Sequence, residues 1–433
     1  MRALHKGVKM MRKCLMALRR KHALNGLAGA FVSCLALGVA AAQDENPIEV
    51  SGELSVVTGV VDGETKADAN AELNVTATHI LNNGVELGAS GSVRADADRP
   101  SQYYAAGRYS SLLSGGDRGV GPEGGDVFLE GAYLFARGGF GSIHLGKDAG
   151  AASRLAVTSP NIFRAVGVND WKTDLTGLND VHTINDFSGQ STKITYMPPP
   201  GFLGGLIGQL QLGVSYAPEL DNCGDRRCAP EDGFGAPSDV SLLGANQRWQ
   251  DVLEAALYYQ NGFKVRDDRL TVGLSASYVT ADKDESGQPV EPVVPVFGDY
   301  KGYAFGLNLA YGNVTFGGSM KSTNAGFDEN RDEDYLAFDA GVTLEAGEWN
   351  FMLGYGNADA ERDATLLVGP ATPDAAFGRL DRETQTAQAG VSYVFDHGVT
   401  LGAAAQFVDS QRDEAIGGSE NAAAVMFESS IKF

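Results

Sequence analysis

From about residue 48 onwards, the chain is built of short segments in which apolar and polar residues alternate with a period of two. The first segment alternates Val50, Gly52, Leu54 and Val56 with Ser51, Glu53 and Ser55. This period is typical of β-strands that have one side against an apolar environment and the other in water. Asn82-Asn83-Gly84, which follows the second segment, is a strong hairpin signal. The pattern therefore predicts an all-β chain of antiparallel strands.

The same unit recurs to the end of the chain and predicts about sixteen strands. Three of them lie between residues 50 and 92. The other thirteen are predicted near 126–136, 140–148, 190–198, 208–217, 249–260, 269–280, 301–311, 313–322, 334–345, 348–358, 382–395, 399–409 and 421–433. An even number is what the transmembrane barrels of bacterial outer membranes require.

The connections between the predicted strands alternate in length. Short turns are predicted at 82–84, 138–139, 311–313, 346–348 and 396–398, with somewhat longer ones at 198–205 and 261–268. Long loops are predicted at 97–125, 149–189, 218–248, 281–300, 323–333, 359–381 and 410–420. Short turns at one end and long loops at the other are typical of a transmembrane barrel. A soluble sandwich would not be expected to sort its loops in this way.

The apolar side of the strands is suited to lipid. One strand carries Tyr303, Phe305, Leu307, Leu309 and Tyr311 on one side, and another carries Trp349, Phe351, Leu353 and Tyr355. Aromatic residues near strand ends match the interfacial girdles of outer-membrane barrels. The core of a sandwich would show the same alternation. The hairpin order, together with an acidic and glycine-rich second side, favours lipid outside and water inside.

One stretch organises the rest of the chain. Gly139 to Asp148 reads Gly-Phe-Gly-Ser-Ile-His-Leu-Gly-Lys-Asp, the long loop 149–189 follows, and then comes a strand with Lys193-Ile-Thr-Tyr196. Such a long irregular loop is usually functional or disordered, and its aromatic and leucine residues indicate that it packs on something. This arrangement resembles the Gram-negative outer-membrane general porin family. The resemblance implies that the loop folds into the barrel and constricts the pore.

The end of the chain extends the resemblance. The last strand ends Phe427-Glu-Ser-Ser-Ile-Lys-Phe433, which is similar to the closing strand of that family and implies recognition by the barrel insertion machinery. This strand must pair with the one that starts at Ile48, because an open sheet edge cannot exist in lipid. The resemblance also implies a homotrimer in contact with outer-membrane lipid and lipopolysaccharide.

Residues 1–42 are predicted to be a secretory signal peptide, which leaves residues 43–433 as the barrel. Eight Lys and Arg residues and no acidic residue occur in the first 22 positions, followed by an apolar run and Ala40-Ala41-Ala42. A lipoprotein signal at Cys34 is disfavoured because Phe31-Val32-Ser33 matches it poorly. Subtracting the eight basic residues from 34 leaves 26 against 55 acidic ones, a formal charge of about −29. Nucleic-acid binding, which needs a basic footprint, is therefore excluded.

Two cysteines remain after the predicted cleavage, Cys223 and Cys228. In an oxidising compartment they are predicted to form a small loop disulfide. A metal pair is the alternative, but no other Cys or His lies nearby in the sequence. No cofactor is predicted. The acidic stretch 328–339 resembles the start of a calcium loop but lacks the glycine and the bidentate Glu that such a loop needs.

The predicted site is the pore constriction. The resemblance implies acidic groups on the in-folded loop facing basic groups on the wall. The matching loop acids are Asp170, Asp174, Asp180 and Asp186. The matching basic wall residues are Arg94, Arg108, Lys193 and His144. Strand parity also points acids inward, namely Glu53, Glu72, Glu86, Glu130, Glu254, Asp339 and Glu428.

These observations predict a water-filled outer-membrane channel for the passive diffusion of small hydrophilic solutes and ions. The strong negative charge favours cations. A substrate-selective channel for sugars is one alternative, although it would need aromatic tracks or a basic ladder in the lumen. An adhesin or structural barrel is another. A barrel-embedded hydrolase using Ser142 and His144 lacks an evident orienting carboxylate or oxyanion hole, so no enzyme activity is predicted.

Overall fold

The computed structural model describes residues 47–96, 126–169, 172–200, 209–219, 249–266, 268–283, 299–324, 335–360, 382–412 and 418–433. Several sequence predictions lie outside these residues. They are the signal peptide at 1–42, Asp170, Arg108, and the disulfide between Cys223 and Cys228.

Sixteen antiparallel strands form one closed barrel in which each strand pairs with its neighbours in the chain. The strands are β1 Ile48–Val61, β2 Glu64–Ile80, β3 Glu86–Asp96, β4 Asp126–Gly138, β5 Gly141–Lys147, β6 Thr192–Met197, β7 Gln209–Glu219, β8 Trp249–Val265, β9 Asp268–Lys283, β10 Tyr300–Tyr311, β11 Val314–Thr323, β12 Tyr335–Ala346, β13 Trp349–Ala360, β14 Arg382–Val394, β15 Val399–Arg412 and β16 Glu420–Lys432. The predicted sixteen-strand barrel is confirmed.

The barrel closes between β1 and β16, with Leu54 opposite Ile431. The terminal residue extends this pairing. The Gly52 backbone N–H donates to the Phe433 carbonyl at 2.9 Å, and the Phe433 N–H donates to the Gly52 carbonyl at 3.0 Å. Closure satisfies the backbone groups of both end strands, as a sheet in lipid requires.

Period-two alternation sorts the side chains of the strands into an outer apolar face and an inner polar face. Phe305 is 53% exposed, Leu353 61% and Phe427 59%, and all three point outward. Buried polar residues lie on the inner face, among them Arg94, His144, Lys193, Glu254, Lys321, Asp339 and Glu428. An apolar outer belt around a polar interior is the pattern of a transmembrane barrel.

The strand connections follow the predicted pattern with one exception. The β1–β2 connection lies at the same end as the long loops, yet it is the two-residue turn Asp62-Gly63. Both turn residues have positive φ, 50° and 92°. An Asp-Gly pair with two positive φ angles matches the twist of a tight hairpin, so the chain reverses there without a loop.

Helix is nearly absent from the described ranges. One short helix, α1, spans Ala151–Arg154 just after β5. No helix among the described residues is long and apolar enough to cross a membrane.

Candidate functional site

The connection between β5 and β6, residues 148–191, lies inside the barrel. We call it the inner segment; residues 170 and 171 of it are not described. Its described residues contact inward side chains on β1, β2 and the strands from β5 to β16. Ser215 on β7 accepts the Ala151 N–H at 2.8 Å and Ser275 on β9 accepts the Val157 N–H at 2.9 Å, and the other contacts are given below. The segment therefore covers a large part of the inner wall.

Three inward carboxylates bind backbone and side-chain donors of the inner segment. Glu428 on β16 accepts the N–H groups of Arg164 at 2.8 Å, Ala165 at 2.9 Å and Val166 at 3.3 Å. Each carboxylate is nearly buried, with exposures of 1% for Glu254 and 4% for Asp339 and Glu428. Buried carboxylates are stable when several donors satisfy them, and an irregular segment has backbone N–H groups to offer.

The other two carboxylates act in the same way. Asp339 on β12 accepts the Ser159 N–H at 3.2 Å and the Asn169 Nδ2 group at 2.9 Å. Glu254 on β8 accepts the Ala152 N–H at 3.1 Å and the Ser188 hydroxyl. The three carboxylates thus fix the inner segment at β8, β12 and β16.

Two lysines bind the carbonyl groups of the inner segment. Lys193 Nζ on β6 donates to the carbonyls of Asp148 and Gly189, both at 2.6 Å. Lys321 Nζ on β11 donates to the Ile184 carbonyl at 2.8 Å. The two lysines are 2% and 0% exposed. They therefore serve as donors beneath the inner segment and are shielded from the solvent inside the barrel.

Inward glycines let the inner segment approach the wall backbone closely. A Cβ at Gly356 would lie 2.8 Å from the Val181 side chain, and one at Gly354 would lie 3.2 Å from Val168. The ring of Phe163 occupies the space where a Cβ at Gly390 or Gly402 would lie. We call these four inward glycines the glycine groove, and they account for part of the high glycine content of this chain.

An apolar cluster completes the packing inside the barrel. It joins side chains of the inner segment to inward residues of β1, β13, β15 and β16. Its members are Val57, Val61, Phe163, Ala165, Val166, Leu175, Leu178, Met352, Ala404, Val408, Ala422, Ala424 and Met426. Removing this much apolar surface from water stabilises the docked conformation.

The stretch from 179 to 187 alternates like a strand. Its odd residues face the wall: Asn179 accepts from the Thr386 hydroxyl at 3.0 Å, and Phe187 stacks on Tyr300 with ring centroids 3.6 Å apart. The even residues Asp180, His182 and Asp186 are partly exposed. They lie on the side of the stretch that is turned away from the wall.

The predicted loop acids have different surroundings. Asp174 binds within the inner segment, accepting the N–H groups of Thr176 at 3.0 Å and Asn179 at 2.9 Å. Asp186 pairs with His182 at 2.8 Å between Oδ1 and Nε2. Partial burial acts to raise the pKa of Asp186, but His182 and then Lys321 outweigh it and lower this pKa to about 2. A role in ion selection stays a prediction for these residues and for Asp180.

Three of the four predicted basic wall residues lie in the described part of the chain. Arg94 on β3 pairs with Glu130 on β4 at 3.4 Å. His144 Nδ1 lies 2.8 Å from Asp148 Oδ2, at the start of the inner segment. Lys193 binds carbonyls of the same segment, as described above. The structure thus brings His144 and Lys193 together at Asp148, where the inner segment begins, whereas Arg94 pairs with a wall residue on the neighbouring strand.

The sequence did not predict ion pairs between an acidic wall residue and basic residues of the inner segment. Glu53 on β1 binds Arg164 Nη1 at 3.2 Å through Oε2 and Lys172 Nζ at 2.8 Å through Oε1. These partners lie 111 and 119 positions away in the sequence. Parity pointed Glu53 inward, but no local pattern identifies partners at such a distance.

The described residues offer no metal site, since no group of three or more His, Cys, Asp or Glu side chains among them is placed to hold an ion. What the site presents is an ordered inner segment whose charged side chains border an open interior. Such an arrangement can narrow a passage and impose a field on what moves through it.

Comparison with known proteins gives a family match and similar folds. A family model described as Gram-negative porin matches residues 29–413. No curated protein matches the sequence. Three solved structures illustrate the fold, each covered almost completely. OmpF of Salmonella typhi, in complex with daunomycin, has a TM-score of 0.54 and 14% identity, over 90% of this chain and 99% of that one.

The outer-membrane channel DcaP of Acinetobacter baumannii has a TM-score of 0.51 and 14% identity, over 89% of this chain and 97% of that one. A loop L8 deletion mutant of OmpT, an outer-membrane protein of Vibrio cholerae, has a TM-score of 0.50 and 14% identity, over 90% of this chain and 100% of that one. At these identities the likeness concerns the fold alone.

Proposed function

The chain belongs to the Gram-negative porin family of outer-membrane channels, and on this premise we propose that it mediates passive diffusion of small hydrophilic solutes and ions. The inner segment narrows its water-filled lumen. The observation that carries the proposal is the docking of that segment by the buried carboxylates Glu254, Asp339 and Glu428. A rigid constriction excludes solutes by size and needs no turnover, in keeping with a channel rather than an enzyme.

A preference for cations is part of the proposal. It rests on the negative charge of the whole chain, −21 before any cleavage, because low-dielectric walls around a narrow passage concentrate counter-ions. Within the passage, the partly exposed acids Asp180 and Asp186 of the inner segment add to this preference.

The assembly and its export are proposed on the family resemblance. We expect a homotrimer, with the signal peptide 1–42 removed and with Phe433 recognised during insertion. The backbone pairing of Phe433 with Gly52 leaves the terminal residue ordered at the closing seam. Native electrophoresis of the detergent-solubilised protein tests the trimer.

Single-channel recording tests the function. The mature chain, refolded and inserted in a planar bilayer, should give stepwise conductance, and a salt gradient should give a reversal potential of cation-selective sign. Swelling of proteoliposomes in neutral sugars of increasing size should slow smoothly with size. Saturable permeation of one sugar would instead favour a substrate-selective channel. Folded barrels without conductance would overturn the proposal and favour an adhesin or structural barrel.

A further inference from the structure

We infer that Glu53 is the residue that most strongly determines the charge selectivity of this channel, an inference that rests on the proposed channel function. It does so by pairing with two cations, Arg164 and Lys172, in the middle of the inner segment.

Glu53 meets the inner segment where it turns back on itself. The N–H groups of Lys172 and Thr173 donate to the Ala165 carbonyl at 2.7 and 3.0 Å and close this turn. The two cations stand on either side of that contact, and one oxygen of Glu53 serves each of them. A single wall carboxylate is therefore shared by both arms of the turn.

The exposure of this group separates it from the anchoring carboxylates. The side chains of Glu53, Arg164 and Lys172 are 17%, 31% and 29% exposed, whereas Glu254, Asp339 and Glu428 are at most 4% exposed. Because the strands seal the outside, this exposed surface faces the open interior. Ions in the passage therefore approach the Glu53 group more closely than they approach the anchoring carboxylates.

The charge of the group depends on Glu53, and the neighbouring charges are Glu72, opposite Glu53 on β2, and the Arg94–Glu130 pair of β3 and β4. Together Glu53, Arg164 and Lys172 carry a formal charge of +1, which becomes +2 when Glu53 is neutral. One additional unit of positive charge beside the passage repels cations and attracts anions. Glu53 thus keeps the inner segment compatible with cation flow.

The turn has anchors other than Glu53. Glu428 holds the N–H groups of Arg164, Ala165 and Val166. Thr173 Oγ1 donates to Asp68 on β2 at 2.5 Å. A change of Glu53 to Gln should therefore alter charge while the turn stays docked.

The test is the reversal potential of the mature chain in a planar bilayer under a KCl gradient. Glu53→Gln should lower the ratio of K⁺ to Cl⁻ permeability by about sevenfold, because one unit charge roughly 7 Å away in water lowers the K⁺ Boltzmann factor by about 2.7 and raises that of Cl⁻ by the same factor. Lys172→Gln should raise the ratio. The double variant restores a net charge of +1 and should return close to wild type, a result that a purely structural role for Glu53 does not produce.

Glu86→Gln is the matched control. Glu86 is also an inward glutamate paired with an arginine, Arg137 at 3.4 Å, but it lies at the barrel end away from the inner segment. Its change should leave the permeability ratio near that of wild type. If Glu53→Gln moves the ratio no further than Glu86→Gln does, the inference is overturned. The same holds if Asp180→Asn and Asp186→Asn produce larger shifts. Absence of wild-type conductance would instead overturn the proposed function itself.

Discussion

At the scale of single residues, the pair His182–Asp186 links the acid stability of the protein to its lumen. The pKa of Asp186 is lowered from 3.8 to about 2 in the folded state. A carboxylate with a depressed pKa contributes stability above its unfolded pKa and loses that contribution as pH falls towards the folded value. Asp186 is 32% exposed, so solvent screening keeps the effect modest.

Asp186→Asn should therefore lower the unfolding temperature in detergent by a few degrees at pH 6, with the difference disappearing as pH falls from about 4 to 2. The measurement is thermal unfolding followed by circular dichroism across this range. In a His182→Gln background the same change should have a smaller effect at every pH, because the main cause of the depressed pKa is absent. An equal difference at pH 6 and pH 2 would contradict the assignment.

Residue roles could be predicted from the sequence only in part. Parity placed Glu254, Asp339 and Glu428 on the inner face, and the structure confirms that placement. Their use as acceptors for the inner segment could not be predicted, because Glu428 binds N–H groups more than 260 positions away. Period two shows which way a side chain points, whereas its partner depends on how an irregular segment folds across the barrel.

At the scale of elements, the docking of the inner segment depends on the groove of glycines. The Phe163 ring lies against Gly390 on β14 and Gly402 on β15. Gly402→Leu should displace this ring, weaken docking by roughly 1–3 kcal/mol as overpacking does, and raise the current noise and mean conductance of single channels. Phe163→Ala in the same chain should restore quiet channels by making room for the leucine.

Ala403→Leu is the control for that experiment. Ala403 is the next residue on β15 and lies opposite the outward Phe427, so the added side chain would point to lipid. We expect wild-type noise from it. Quiet channels from Gly402→Leu alone would show that the glycine groove does not govern docking.

The elements themselves were largely predictable. Sixteen strands follow from alternation and turn chemistry because each strand has one face in lipid and one in water. The Asp62-Gly63 turn carries a clear local signal, yet it stands at the end where length sorting predicts a long loop. The path of the inner segment was not predictable, because it has no repeating pattern before residue 179.

At the scale of the whole molecule, charge has two sources that act over different distances. One is the overall excess of acidic residues, about −29 for the mature chain if residues 1–42 are removed. The other is the set of side chains that border the passage, Glu53 and its partners among them. The overall charge acts on ions at a distance, through the surrounding electrolyte. The bordering side chains act on ions that pass close to them.

Ionic strength separates these two sources. The Debye length falls from about 10 Å at 0.1 M salt to about 3 Å at 1 M, so distant charges are screened at high salt while groups bordering the passage still act. We expect the K⁺ to Cl⁻ permeability ratio of the wild type to fall severalfold between 0.1 and 1 M KCl. The ratio between wild type and Glu53→Gln should change much less over the same range. A wild-type ratio that is constant with salt would place selectivity entirely in the passage. A Glu53 effect that disappears with the wild-type preference would mean that this residue acts only through the overall charge.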